Sequence, residues 1–198
     1  MNTYVITKQT LPINWNDVPA AAIDQFHWIG EAPVKAQAQL CCTEDALHIR
    51  LTAWEEHIRA EETGVLGAPH LDSCLEFFFC PVSGDQRYFN IECNPNGCLY
   101  IGMGFNRYDL VRLIQKEKLV VPVAERFDGG WTLEYSIPYR FIRQFFPEFK
   151  SDSGTKIRGN FFKCGDETVK PHYITWNRIE IENPDFHRSD FFGELIFE

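Results

Sequence analysis

The chain has 198 residues with a formal charge of -9, 44% hydrophobic and 15% aromatic residues, a size at which a sandwich or barrel still closes as one domain over residues 1–198. That acidity, with no cluster of Lys and Arg, works against nucleic acid and anionic membranes, and the apolar content works against disorder. No apolar run approaches the roughly 20 residues needed to cross a bilayer, and the N-terminal residues Met1 to Lys8 lack the basic start and apolar stretch of a secretory signal, so a soluble cytoplasmic protein is expected.

In chain order, short runs rich in β-branched and aromatic residues fall near 37–42, 46–53, 72–80, 88–93, 98–104, 119–127, 130–138, 156–164 and 173–176, with a closing run at 193–197. Turn signals separate them: Thr43-Glu44-Asp45, Ser83-Gly84-Asp85, Asn94-Pro95-Asn96-Gly97 and Asp128-Gly129-Gly130. Pro138 to Phe146 suits one short helix, ended before Pro147. The pattern predicts an all-β fold, an antiparallel β-sandwich of jelly-roll type with one short helix. Phe77, Phe79, Phe89, Ile91, Leu133 and Tyr135 are expected in its core. Two long connections, 57–71 and 166–172, lack strand character; connections of that length often carry function.

Side chains two apart on a strand share a face. Leu75, Phe77 and Phe79 form one face of the 72–80 strand while Asp72 and Glu76 share the other. Tyr88, Asn90 and Glu92 oppose Phe89, Ile91 and Cys93. Arg158 and Asn160 share a face, as do His172, Ile174 and Trp176. A sugar ring offers hydroxyls at its edge and C–H groups on its faces, so Glu76, Asn90, Glu92, Arg158 and Asn160 as polar readers with Trp176 as an aromatic plate suit a neutral polyol. Alternation of this kind also describes an ordinary solvated sheet face. Trp131 alternates with Leu133, Tyr135 and Ile137 and reads as core. Trp54 follows a strand end and stands either in the core or at a loop mouth.

Seven cysteines without a CxxC pair give neither a zinc motif nor a complete disulfide framework, and read as buried free thiols. His187 and Arg188, between Phe186 and Phe191-Phe192, are expected to hydrogen-bond a loop and fix the last strand.

Asp72-Ser73-Cys74-Leu75-Glu76-Phe77-Phe78-Phe79, Tyr88 to Asn94 with Gly97, Gly159 to Asp166, His172 to Asn177, and Pro184 to Arg188 with Phe191 to Leu195 occur in an order that resembles the family 9 carbohydrate-binding modules. The resemblance covers most of the chain from about Trp15 onward. It implies a non-catalytic module that grips a terminal sugar of a monosaccharide or oligosaccharide, typically at a reducing end, between two aromatic rings. The distal ring corresponds to Trp176 and the acid of the D-S-x-x-E strand to Glu76, with Arg158 and Asn160 on a contributing strand. Where the family has its other tryptophan this chain has Pro69-His70-Leu71, so that ring is His70, Trp54 or missing. Family members often hold structural calcium, but no DxDxDG loop is present and no ligands are assigned; no other cofactor is expected. Two competing readings are a glycosidase using Glu76 and Glu92 as its carboxylates, and a haem-binding sandwich using Met103 with His70 or His172.

Overall fold

The computed structural model describes residues 1–28 and 32–198. Thirteen strands lie within them: β1 (Thr3–Lys8), β2 (Ala20–Ile23), β3 (Val34–Cys42), β4 (Ala46–Glu55), β5 (Cys74–Cys80), β6 (Tyr88–Cys93), β7 (Leu99–Asn106), β8 (Asp109–Arg112), β9 (Val123–Phe127), β10 (Gly130–Pro138), β11 (Lys156–Gly165), β12 (His172–Thr175) and β13 (Gly193–Phe197), with one α-helix, α1 (Tyr139–Phe145). Strands take 45% of the chain and helix 8%, an all-β sandwich as the alternation predicts. No helix among the described residues is long and apolar enough to cross a membrane.

One layer runs β8-β7-β6-β5-β11, with β12 and β13 pairing successive halves of β11; the other runs β3-β4-β10-β9, with β2 beside β3. Strand β1 joins the layers, pairing β13 through Thr3 to Ile6 and β3 through Thr7 and Lys8. Between the layers lie Leu75, Phe77, Phe79, Phe89 and Ile91 from one and Leu51, Leu133, Tyr135 and Ile137 from the other, each 6% exposed or less. These are every-second-residue positions on their strands, so burial on one face fixes the register of each strand. Phe77 stacks on Phe79 and on Phe161, both at 4.9 Å between centroids. The Asp128-Gly129 turn closes the β9–β10 hairpin with Gly129 at φ +84°, a conformation that glycine adopts without steric cost.

Strands β1, β2 and β8 carry weaker signals than their neighbours. The first pairs in parallel with both β13 and β3 and is not among the expected runs, the second is Ala-Ala-Ala-Ile, and β8 exposes half its residues. Residues 119–122, expected to open a strand, precede β9 instead, with Val120 buried and held by the Gln115 amide.

The outer face of the first layer is not a solvated one. The irregular segment from Asn177 to Phe192 lies across it and buries Ile179, Phe186 and Phe192 against Phe78, Tyr88 and Phe162. Phe186 stacks on Phe162 at 4.2 Å.

Candidate functional site

A cavity of about 490 Å³ opens on this outer face where the covering segment stops short. Its floor is built by register. Glu76 on β5 faces Glu92 on β6, and Glu92 faces Tyr100 on β7. One step along, Asn90 lies opposite Gly102; a Cβ at Gly102 would come within 2.8 Å of the Tyr100 ring, so this glycine lets the ring lie over the sheet. Cys164 and Asp166 approach from the β11 end, Tyr173 from β12, His70 from the loop before β5, and Arg107 with Leu110 from the β7–β8 hairpin. Asp185, Phe186 and His187 close the remaining side. Arg107 Nε donates to Asp185 Oδ1 at 3.2 Å and ties hairpin to covering segment at the rim.

The floor is polar and incompletely paired. Asn90 is fully buried, and neither its Oδ1 nor its Nδ2 has a hydrogen-bond partner in the protein. Glu92 is 6% exposed, and its Oε2 has only His70 Nδ1 nearby, at 3.5 Å. Hydrogen bonding to Glu92 raises the pKa of His70 above the ordinary imidazole value, against the effect of burial. Burial, with the Cys164 thiol and Glu92 nearby, holds the Glu76 carboxyl well above the usual carboxylate range. Cys164 Sγ donates to Glu76 Oε1 at 2.9 Å. Burial also raises Asp166, opposed by His70 and by the Tyr173 hydroxyl.

Of the residues singled out in the sequence, Glu76, Asn90, Glu92 and His70 converge on this cavity. Four do not. Trp176 is 5% exposed and packs between the layers against Phe161 (5.5 Å) and Tyr4 (6.5 Å), with Gly193 against its six-membered ring. His172, Ile174 and Trp176 do share a face, but that face is the core face, so the expected stacking plate is corrected to a core residue. Asn160 is fully buried and spends its amide on the covering segment, donating to Asn177 O at 2.8 Å and accepting from Asn177 N–H at 2.8 Å. Arg158 donates to Ser189 O at 3.1 Å. Both are on the outer face as parity predicts, but at the end that the segment covers. Trp54 stands on the other layer, 39% exposed, edge-on to Phe127.

His187 does more than hold its own segment. Its Nδ1 shares a 2.8 Å hydrogen bond with Tyr88 Oη, and its ring borders the cavity. Asp72 is also structural, accepting from Arg59, the Glu61 and Glu62 N–H groups and Asn94 Nδ2, which pins the long loop before β5. Sequence reasoning passed over Tyr100 and Tyr173, although their parity, opposite to Ile101 and Ile174, places both on the outer face.

The haem reading loses its ligand pair. Met103 packs on the core side of β7, whereas His70 borders the outer-face cavity and His172 sits in a buried network in which its Nε2 lies 2.8 Å from Lys163 Nζ and burial lowers its pKa to about 4. Calcium takes six to eight oxygen ligands. Among the described residues, the one group of three or more Cys, His or carboxylate side chains close enough to share an ion is Cys74, Glu76 and Cys164. Two thiols in that set do not fit calcium.

A model of carbohydrate-binding family 9 matches residues 8–197. No curated protein matches the chain. Among solved structures, a Bacteroides uniformis ATCC 8492 protein proposed to bind carbohydrate is 28% identical, with TM-score 0.87 over 99% of both chains. A family 9 module of Caldicellulosiruptor kristjanssonii in complex with glucose shares the fold at 12% identity and TM-score 0.69, covering 100% of this chain and 96% of that one. Its complex with cellotriose gives the same identity and TM-score, covering 94% of that chain. With nearly its whole length matched, the chain belongs to carbohydrate-binding family 9.

Proposed function

We propose that the outer-face cavity binds one terminal sugar residue of a monosaccharide or oligosaccharide without hydrolysing it, reading the hydroxyls with Asn90, Glu76, Glu92 and His70. The observation that carries this reading is Asn90. Its buried amide presents a donor and an acceptor to the cavity with neither engaged by protein, and a buried polar group left unmatched costs about 1 to 3 kcal/mol. Vicinal hydroxyls, each both donor and acceptor, match that pattern. Glu76 and Glu92, cross-strand neighbours on the cavity floor, supply further hydrogen-bonding groups. The cavity volume lies within the range of small-molecule sites, about 300 to 1,000 Å³, and the glucose and cellotriose complexes of the Caldicellulosiruptor module support a glucose-type ring.

The aromatic walls in this reading are Tyr100 and Tyr173. They stand four strands apart, on β7 and β12, which at about 4.8 Å per strand is roughly 19 Å between backbones. Both rings border the cavity, and in this reading these tyrosines take the part that the family resemblance assigned to Trp176 and its partner.

The placement of the two glutamates favours binding over hydrolysis. Glycosidase carboxylates flank the scissile bond, with the sugar between them. Glu76 and Glu92 are cross-strand neighbours on one sheet face, so both lie beneath the ligand. Titration calorimetry with glucose, cellobiose, cellotriose and their reduced alditols tests the reading. Binding that survives reduction of the terminal ring removes the reducing-end specificity, and no binding to any sugar removes the reading itself. Release of labelled fragments from oligosaccharides would restore the enzymatic alternative.

A further inference from the structure

We propose that Cys74, Glu76 and Cys164 form a binding site for one divalent metal ion of the zinc class at the edge of the cavity floor. Cys74 and Cys164 are directly opposite each other on β5 and β11, and Glu76 is two residues along from Cys74 on the same face. Their Sγ and carboxylate oxygen atoms all lie within 4.8 Å of one another, and Cys164 Sγ is 2.9 Å from Glu76 Oε1.

Tetrahedral zinc takes sulfur at about 2.3 Å and carboxylate oxygen at about 2.0 to 2.2 Å, which sets donor–donor separations of roughly 3.5 to 3.8 Å. The trio's ligand atoms, within 4.8 Å of one another, need move by only about 1 Å to reach that geometry. Two thiolates and a carboxylate select a thiophilic ion over calcium or magnesium. Binding releases the two thiol protons, and the carboxyl proton wherever Glu76 holds one, to solvent and forms two metal–sulfur bonds and one metal–oxygen bond, with no redox step. Cys164 and Glu76 both border the cavity, which supplies an entry path and leaves the fourth position for water or a ligand oxygen. Among the described residues the other cysteines offer no such set. Cys41 and Cys42 are adjacent on β3 and pack into different clusters, and Cys80 has no ligating neighbour of this kind among the described residues. The proposal shares Glu76 with the sugar reading but does not depend on it, because the cavity serves the ion only as an entrance.

The test uses the full chain, reduced and stripped with a chelator, then titrated with Co(II) and back-titrated with Zn(II). One cobalt per chain with a thiolate-to-metal charge-transfer band, displaced by zinc, is the expected result. Cys74→Ser and Cys164→Ser should each lose the band and weaken binding by about a hundredfold or more, beyond the roughly 10- to 100-fold typical of outer-shell changes. Cys80→Ser should keep both. X-ray absorption on the zinc-loaded wild-type chain should show two sulfur neighbours with lighter ligands, a readout independent of whether the serine variants fold. Absence of one-to-one uptake by the reduced, folded chain, a band retained in both serine variants, or a shell without two sulfurs overturns the site. A Cys74–Cys164 disulfide that takes up no metal after reduction does the same. Sugar calorimetry on the stripped chain separates the two proposals: binding without metal uptake sinks only the metal site.

Discussion

Replacing Asn90 with Leu tests the candidate site from both sides, because shape and volume stay close while both orphan polar atoms disappear. In the wild-type chain these two buried atoms have no protein partner, so the variant forfeits no intramolecular hydrogen bond. It removes the cost of holding an unmatched amide in a largely dry floor, at most about 1 to 3 kcal/mol. At about 2 to 4 °C per kcal/mol for a chain of this size, the melting temperature should hold or rise, by up to roughly 10 °C. The ligand loses two hydrogen bonds worth about 0.5 to 1.5 kcal/mol each, so the dissociation constant should rise about fivefold to 150-fold. Differential scanning calorimetry and sugar titration on one preparation read both numbers. A variant that melts well below the wild type shows that the Asn90 amide supports the fold. One that binds sugar unchanged places the ligand elsewhere, and either result refutes the reasoning.

Trp176→Ala should behave in the opposite way, losing about 3 to 5 kcal/mol of stability, the usual cost of deleting a buried aromatic, while the folded fraction keeps its sugar affinity in calorimetry. Tyr100→Ala and Tyr173→Ala should each leave the circular dichroism spectrum unchanged and weaken binding by one to two decades, taking about 1 to 3 kcal/mol per stacked ring by analogy with base-stacking platforms. Glu76→Gln tests protonation: because the folded chain holds the Glu76 proton above the ordinary carboxylate value of 4.5, the stability linked to it is full below that pH and falls as pH rises through the folded-state value. The wild-type slope from this one group is at most about 1.4 kcal/mol per pH unit. Gln should flatten the curve and melt higher than wild type at its alkaline end; identical curves in chemical denaturation across pH would show that Glu76 is ionised in the folded chain.

The sandwich was legible because its core strands alternate cleanly. Phe77 and Phe79 against Glu76, or Phe89 and Ile91 against Asn90, leave one choice of inner face once a core must be buried. The same rule could not choose for His172, Ile174 and Trp176. On a four-residue strand covered on both sides, each face carries aromatic and polar groups, and the preference for Trp176 as a platform came from parity and family resemblance, neither of which reports burial. Arg158 and Asn160 were correctly placed on the outer face, but alternation says nothing of what lies over a face. The covering segment has no periodicity, and its anchors, the Asn177 backbone to Asn160 and His187 to Tyr88, are long-range pairs that no local pattern encodes. Arg107 and Asp185 were missed for the same reason: each sits in a loop and acquires a role only when the hairpin meets the segment.

That segment also explains why the cavity lies where it does. Along the outer face of β5, Phe78 and Cys80 at one end are matched by Phe186 and Phe192, which bury apolar surface at about 25 cal/mol per Å² and need no ligand. At the other end Glu76, Asn90 and Glu92 could be covered only by groups able to pair with them, and of the segment's residues at the cavity, Pro184 to His187, only Asp185 and His187 carry polar side chains. Extending the apolar cover would strand three buried polar side chains at about 1 to 3 kcal/mol each, a large part of the 5 to 15 kcal/mol that typically holds a domain together. The apolar cover therefore gives way at His187, whose ring packs on Phe78 while hydrogen-bonding Tyr88, and the polar end stays open. A face half sealed by phenylalanine and half left with unmatched amide and carboxyl groups is arranged for a ligand that brings its own hydroxyls.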